Sequence, residues 1–183
     1  MRTWLTFRSG ALAVGAMVAL AAPAGAQDSE AVSLDGTLTG AHWPDMAAPA
    51  CDDPTTSWRF KIVVGGQLAD LGDVEALTTH CTIFDAEGGA DPVYYDRTTM
   101  LTTADGDMLA LVHDFPTTEM FVGDEGQFTG FVLDGTWEAV GGTGRFMHAA
   151  GTGNVTGTAD IPGDIVLDFD GEITLDAPEP PAE

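Results

Sequence analysis

Apolar and polar residues take turns along most of this chain. Trp58, Phe60, Ile62 and Val64 occupy every second position, with Arg59, Lys61 and Val63 between them, until Gly65-Gly66 ends the run. A period of two sends successive side chains to opposite faces of a strand. Leu77, Thr79, Cys81 and Ile83 continue with β-forming residues, Thr78, His80 and Thr82 lying between. Residues 98–103 and 108–115 flank Ala104-Asp105-Gly106-Asp107, and an Asp-Gly pair between β-prone runs predicts a hairpin. Residues 127–140 predict a longer strand, with Gly130 and Gly135 as bulge or bend points. In the last run Ile165, Leu167, Phe169, Ile173 and Leu175 share one face; Asp168, Asp170, Glu172 and Thr174 share the other. Residues 32–39 and 149–158 bring the total to roughly eight strands, and only 46–50 or 67–71 offers even one short helical turn. The pattern is that of an all-β sandwich or barrel.

The two ends of the chain do not follow this pattern. Arg2 and Arg8 precede an apolar stretch over residues 10–22, and Ala24-Gly25-Ala26 presents small residues before Gln27. This is the layout of a secretory signal peptide over residues 1–26, too short in its apolar part for the roughly 20 residues a membrane span needs. The expected organisation is a leader (1–26), one β domain (27–175) and a proline-rich acidic tail (176–183) expected to be disordered. Export to a secreted or periplasmic location in a bacterium follows, with no membrane association after cleavage.

Charge narrows the partners. The whole chain has 6 basic and 29 acidic residues, a formal net of −23. Loss of Arg2 and Arg8 with the leader leaves four bases against 29 acids, a net of −25. Nucleic acid and anionic lipid are excluded, because both are bound by neutralising phosphates. Cys51 and Cys81 are the two cysteines, and in an oxidising compartment they are expected to form a disulfide. Thirty residues apart, they lack zinc-site spacing.

The most specific stretch is Trp137-Glu138-Ala139-Val140-Gly141-Gly142-Thr143-Gly144-Arg145-Phe146 followed by Ala149-Ala150-Gly151-Thr152-Gly153. It resembles the G-G-T-G-[RK]-F-x-x-A-x-G hairpin of allene oxide cyclase and dirigent barrels and their exported bacterial relatives. Thr102-Thr103-Ala104-Asp105-Gly106-Asp107-Met108-Leu109 is similar to a second hairpin of those relatives. The resemblance implies an eight-stranded antiparallel β-barrel with an apolar interior, its end plugged by Phe146. It implies no catalytic residue, since that hairpin is architectural. A phosphate cradle at Gly141-Gly142-Thr143-Gly144 is not expected, because a strand follows where a helix N-terminus is needed.

Other candidates rest on residue type. His80 and His113 lie within strands, and with Glu75 they are the candidates for proton transfer if all three face the lumen. His42 and His148 fit no metal or acid–base motif with them. Asp105 and Asp107 read as turn residues rather than calcium ligands. Trp58, Phe60, Phe128, Trp137 and Phe169 are candidate ligand-lining residues, with Tyr94, Tyr95 and Phe131 as further aromatics. No metal and no cofactor is implied. The leading expectation is an exported non-enzymatic barrel with room for one small apolar ligand. Its alternatives are a cyclase or isomerase steering a lipid or phenolic intermediate, and an acidic surface interaction protein.

Overall fold

The computed structural model describes residues 29–45, 51, 57–83, 93–114, 117–125, 128–160 and 163–175. The predicted leader (1–26) and tail (176–183) lie outside the described residues. The strands are β1 (Glu30–Ser33), β2 (Gly36–Pro44), β3 (Ser57–Leu68), β4 (Gly72–Ile83) and β5 (Val93–Thr103), then β6 (Met108–Asp114), β7 (Thr117–Val122), β8 (Phe128–Gly142), β9 (Ala150–Asp160) and β10 (Gly163–Leu175). Among the described residues no helix is long and apolar enough to cross a membrane.

Ten strands make eight staves. β2, β3, β4, β5, β6, β8, β9 and β10 each pair antiparallel with the next, and β10 returns to β2, closing an eight-stranded antiparallel β-barrel. β1 continues the stave of β2 past Leu34-Asp35, pairing with the last residues of β10. β7 shares a stave with β6 in the same way, pairing with the first half of β8 while β6 pairs with the second. The break at Leu34-Asp35 is held by side chains. The Ser33 N–H donates to Asp70 Oδ2 at 2.8 Å, and the Gly171 N–H donates to Asp35 Oδ1 at 3.0 Å.

The two ends of the barrel are built differently. At one end the chain reverses through residues 69–71, 104–107 and 143–149. Leu34, Leu68, Leu109 and Phe146 fill this turn end and are almost free of solvent contact. The two hairpins that carry the family resemblance meet here. Thr143 N–H donates to the Met108 carbonyl at 2.7 Å, Met108 N–H donates to Thr143 Oγ1 at 3.0 Å, and Arg145 N–H donates to Asp107 Oδ2 at 3.3 Å. Gly144 has φ +55°, and a Cβ there would run into the Asp107 carboxylate. Midway along the lumen the Trp137 indole lies where side chains at Gly153 and Gly171 would stand, and its Nε1–H donates to the Asn154 carbonyl at 3.1 Å. At the other end the inward residues change character, and polar side chains enter the wall.

Candidate functional site

His42 on β2, Phe60 on β3 and His80 on β4 point inward from three adjacent strands, Phe60 directly opposite His80 in the register. Their rings are nearly parallel. Centroids lie 4.9 Å apart for His42–Phe60, 5.8 Å for His42–His80 and 5.6 Å for Phe60–His80. Phe131 on β8 closes the group, its ring edge-on to His42 at 5.5 Å. Beside these rings runs a line of hydroxyls. Thr78 Oγ1 and Thr99 Oγ1 share a hydrogen bond of 2.5 Å, and Thr99 Oγ1 bonds His113 Nε2 at 2.8 Å. Three strands, β4, β5 and β6, are thereby joined inside the barrel.

Burial sets the charge state. It lowers His42 from 6.5 to about 4. His80 falls to about 3, chiefly by burial, with further lowering from His42, His113, Arg97 and Arg59. His113 also falls to about 3 through burial and Arg97, partly opposed by Asp114. All three are neutral imidazoles near pH 7, each offering one N–H and one lone pair. Arg97 itself is held by Asp114 at 2.6 Å.

His42 is the unusual member. Only 3 % of it is exposed, yet neither Nδ1 nor Nε2 has a hydrogen-bond partner among the described residues. Thr82 Oγ1, on the same end of β4, is likewise buried and unpartnered. A buried polar atom without a partner costs about 1–3 kcal/mol. Such a group calls for an explanation, and a partner from outside the chain is one that supplies the missing bond.

Not every candidate residue belongs to this cluster. His80 and His113 face the lumen, but Glu75 is exposed on the outer wall, between inward-facing Val74 and Ala76. The proton-transfer trio therefore does not form; unbroken alternation along β4 turns Val74, Ala76, Thr78 and His80 inward and residue 75 outward. Phe60, Trp137 and Phe169 are buried inside the barrel. Trp58 and Phe128 are on strands, but their side chains, like those of Tyr94 and Tyr95, lie outside the described residues. His148 is exposed on the turn after Phe146, and Asp105 is exposed in the β5–β6 turn. Cys51 and Cys81 form a disulfide, their Cα atoms 6.0 Å apart, so β4 is stapled between His80 and Thr82. Among the described residues no three His, Cys, Asp or Glu side chains converge as metal ligands would.

His42 is the residue that sequence reasoning passed over. Its even-numbered neighbours Leu38 and Gly40 gave no strong alternation, and only the pairing of Pro44 with Phe60 brings it beside the other rings. A cleft of about 730 Å³ lies elsewhere, open to solvent on the outer wall beside Asp114, Glu138 and Asp170. Its lining includes the Arg97–Asp114 ion pair, so that base is already neutralised there.

Fold and cluster together define a closed antiparallel barrel with a neutral histidine–threonine–phenylalanine site at one end. No known family, no curated protein and no solved structure matches this chain.

Proposed function

We propose that the chain is an exported, non-enzymatic barrel that holds one small, mainly apolar molecule at its histidine end. The observation that carries this reading is His42, buried with both ring nitrogens unpartnered and flanked by Phe60 and Phe131. The aromatic rings suit a flat apolar body. The neutral imidazole and the Thr82 hydroxyl suit one hydroxyl or carbonyl handle on it. A charged head group is disfavoured, because burial penalises charge at the cluster and keeps its imidazoles neutral. Retention fits better than turnover, since Glu75 faces outward and cannot exchange protons with the histidines. The leader-like N-terminus and the Cys51–Cys81 disulfide support export. The resemblance of the two docked hairpins to allene oxide cyclase and dirigent barrels agrees with a barrel built around a small apolar guest.

Native mass spectrometry of protein purified from its own host tests the proposal. The expected spectrum shows a small-molecule adduct on the wild-type chain that is lost on denaturation and absent from a folded His42→Phe variant. A wild-type spectrum with no adduct, or an adduct equally abundant on the variant, overturns it.

A further inference from the structure

The outer wall of the barrel is uneven in a way that the interior does not require. Ala41, Val63, Leu77, Met100 and Ala110 lie directly opposite one another across β2 to β6, forming a row that curves around about half of the outer wall, with Val63, Leu77 and Met100 at its middle. Val63 and Leu77, near its centre, are each 40 % exposed. The row two residues to one side runs from Trp43 through Lys61 to Val112, and the row to the other side includes Glu75. Across these fifteen described positions there is one acid, Glu75, and one base, Lys61. The outer faces of β8 and β10 contrast sharply, presenting Asp134, Glu138, Asp164, Asp168, Asp170 and Glu172.

We propose that the β3–β5 part of this wall, centred on Val63, Leu77 and Met100, is an interface between copies of this chain. The argument is one of charge. A chain with a formal net of −23 repels its own kind wherever acid meets acid, and this face is where two copies approach without that penalty. It is also self-complementary. Lys61 and Glu75 sit on neighbouring strands on opposite sides of the apolar row. A two-fold axis along the row therefore sets the Lys61 of each copy beside the Glu75 of the other. Three strands about 4.8 Å apart and three rows about 6.7 Å apart, as much of the curved wall as one partner can face, cover on the order of 300 Å². That is at the lower end of the patch size that marks interaction sites, and about a third of a standard interface side of ~800 Å². The pairing is accordingly reversible rather than permanent. It does not depend on a ligand inside the barrel.

Sedimentation velocity of the purified protein over a range of concentrations is the test. A reversible rise in mass with concentration is expected, strengthened by salt, which screens the acids. Lys61→Glu should weaken self-association about tenfold or more by setting like charges together. The exchange Lys61→Glu with Glu75→Lys should restore it, and Leu77→Asp should abolish it. All three positions lie on the outer wall, so each variant keeps the fold, checked by its circular dichroism. A monomer at every concentration overturns the proposal, and so does a charge exchange no better than Lys61→Glu alone.

Discussion

At the scale of single residues, the buried histidines link the site to pH. Their folded-state values of about 4 for His42 and about 3 for His80 and His113 lie below the ordinary 6.5. The unfolded chain therefore takes up protons first as the pH falls. Stability is complete above about 6.5 and is lost as the pH drops from there toward 4 and 3. For His42 alone the loss at about pH 5 is roughly 2 kcal/mol, or a fall in Tm of about 4–8 °C for a domain of this size. His42→Phe should remove that share of the slope and, by deleting an unpartnered polar ring, leave stability at pH 7 equal or higher. Thermal melts of both proteins at pH 7 and pH 5 check this. Parallel pH profiles would mean that His42 is solvated and its burial of no consequence. The sequence made His80 and His113 legible as strand histidines, because their neighbours are locally β-prone. It did not make His42 legible as their companion, since residues 42, 60 and 80 meet only through long-range pairing.

At the scale of elements, the two hairpins singled out from sequence act as one unit. The turn after β8 rests on the turn before β6 through Asp107, Met108, Thr143 and the Arg145 N–H. Gly144 meets two demands at once, a positive φ and a backbone that lies against the Asp107 carboxylate. Gly144→Ala should therefore cost roughly 1–3 kcal/mol. Urea unfolding would show it as a lower midpoint at unchanged slope. A variant as stable as the wild type would mean that the turn shifts freely and that the docking is incidental. Hairpin positions were readable because turn chemistry is local: Asp-Gly and Gly-Gly-Thr-Gly announce a reversal on their own. Their mutual contact was not readable, since 35 residues separate Met108 from Thr143. The same limit applies to the division of one stave into β1 and β2. That break depends on Asp35 and Asp70 reaching across to other elements, which no alternation pattern records.

At the scale of the whole molecule, the barrel separates stability from binding along its axis. Apolar packing and docked turns seal one end, and unpartnered polar groups collect at the other. The strand period gave an all-β sandwich or barrel, because alternation is a property of neighbouring residues, whereas closure rests on the pairing of β10 with β2. The axial division was hidden, because it depends on which strand ends share an end of the barrel. The division yields a crossed prediction. Removing the disulfide with Cys51→Ala and Cys81→Ala releases a loop spanning 30 residues, which should lower stability by about 3–4 kcal/mol on the chain-entropy account. Cys81 lies between His80 and Thr82, so the loss should also loosen the site and reduce the small-molecule adduct seen by native mass spectrometry. Gly144→Ala acts at the far end, and should lower stability while leaving the adduct intact under native conditions. The comparison is made well below either unfolding midpoint, where both variants are folded. If the two variants lose adduct in proportion to their stabilities, binding reports the global fold, and the barrel has no functional end. If only the cysteine variant loses it, the two ends of the axis carry different work, and His42 marks the end that meets the ligand.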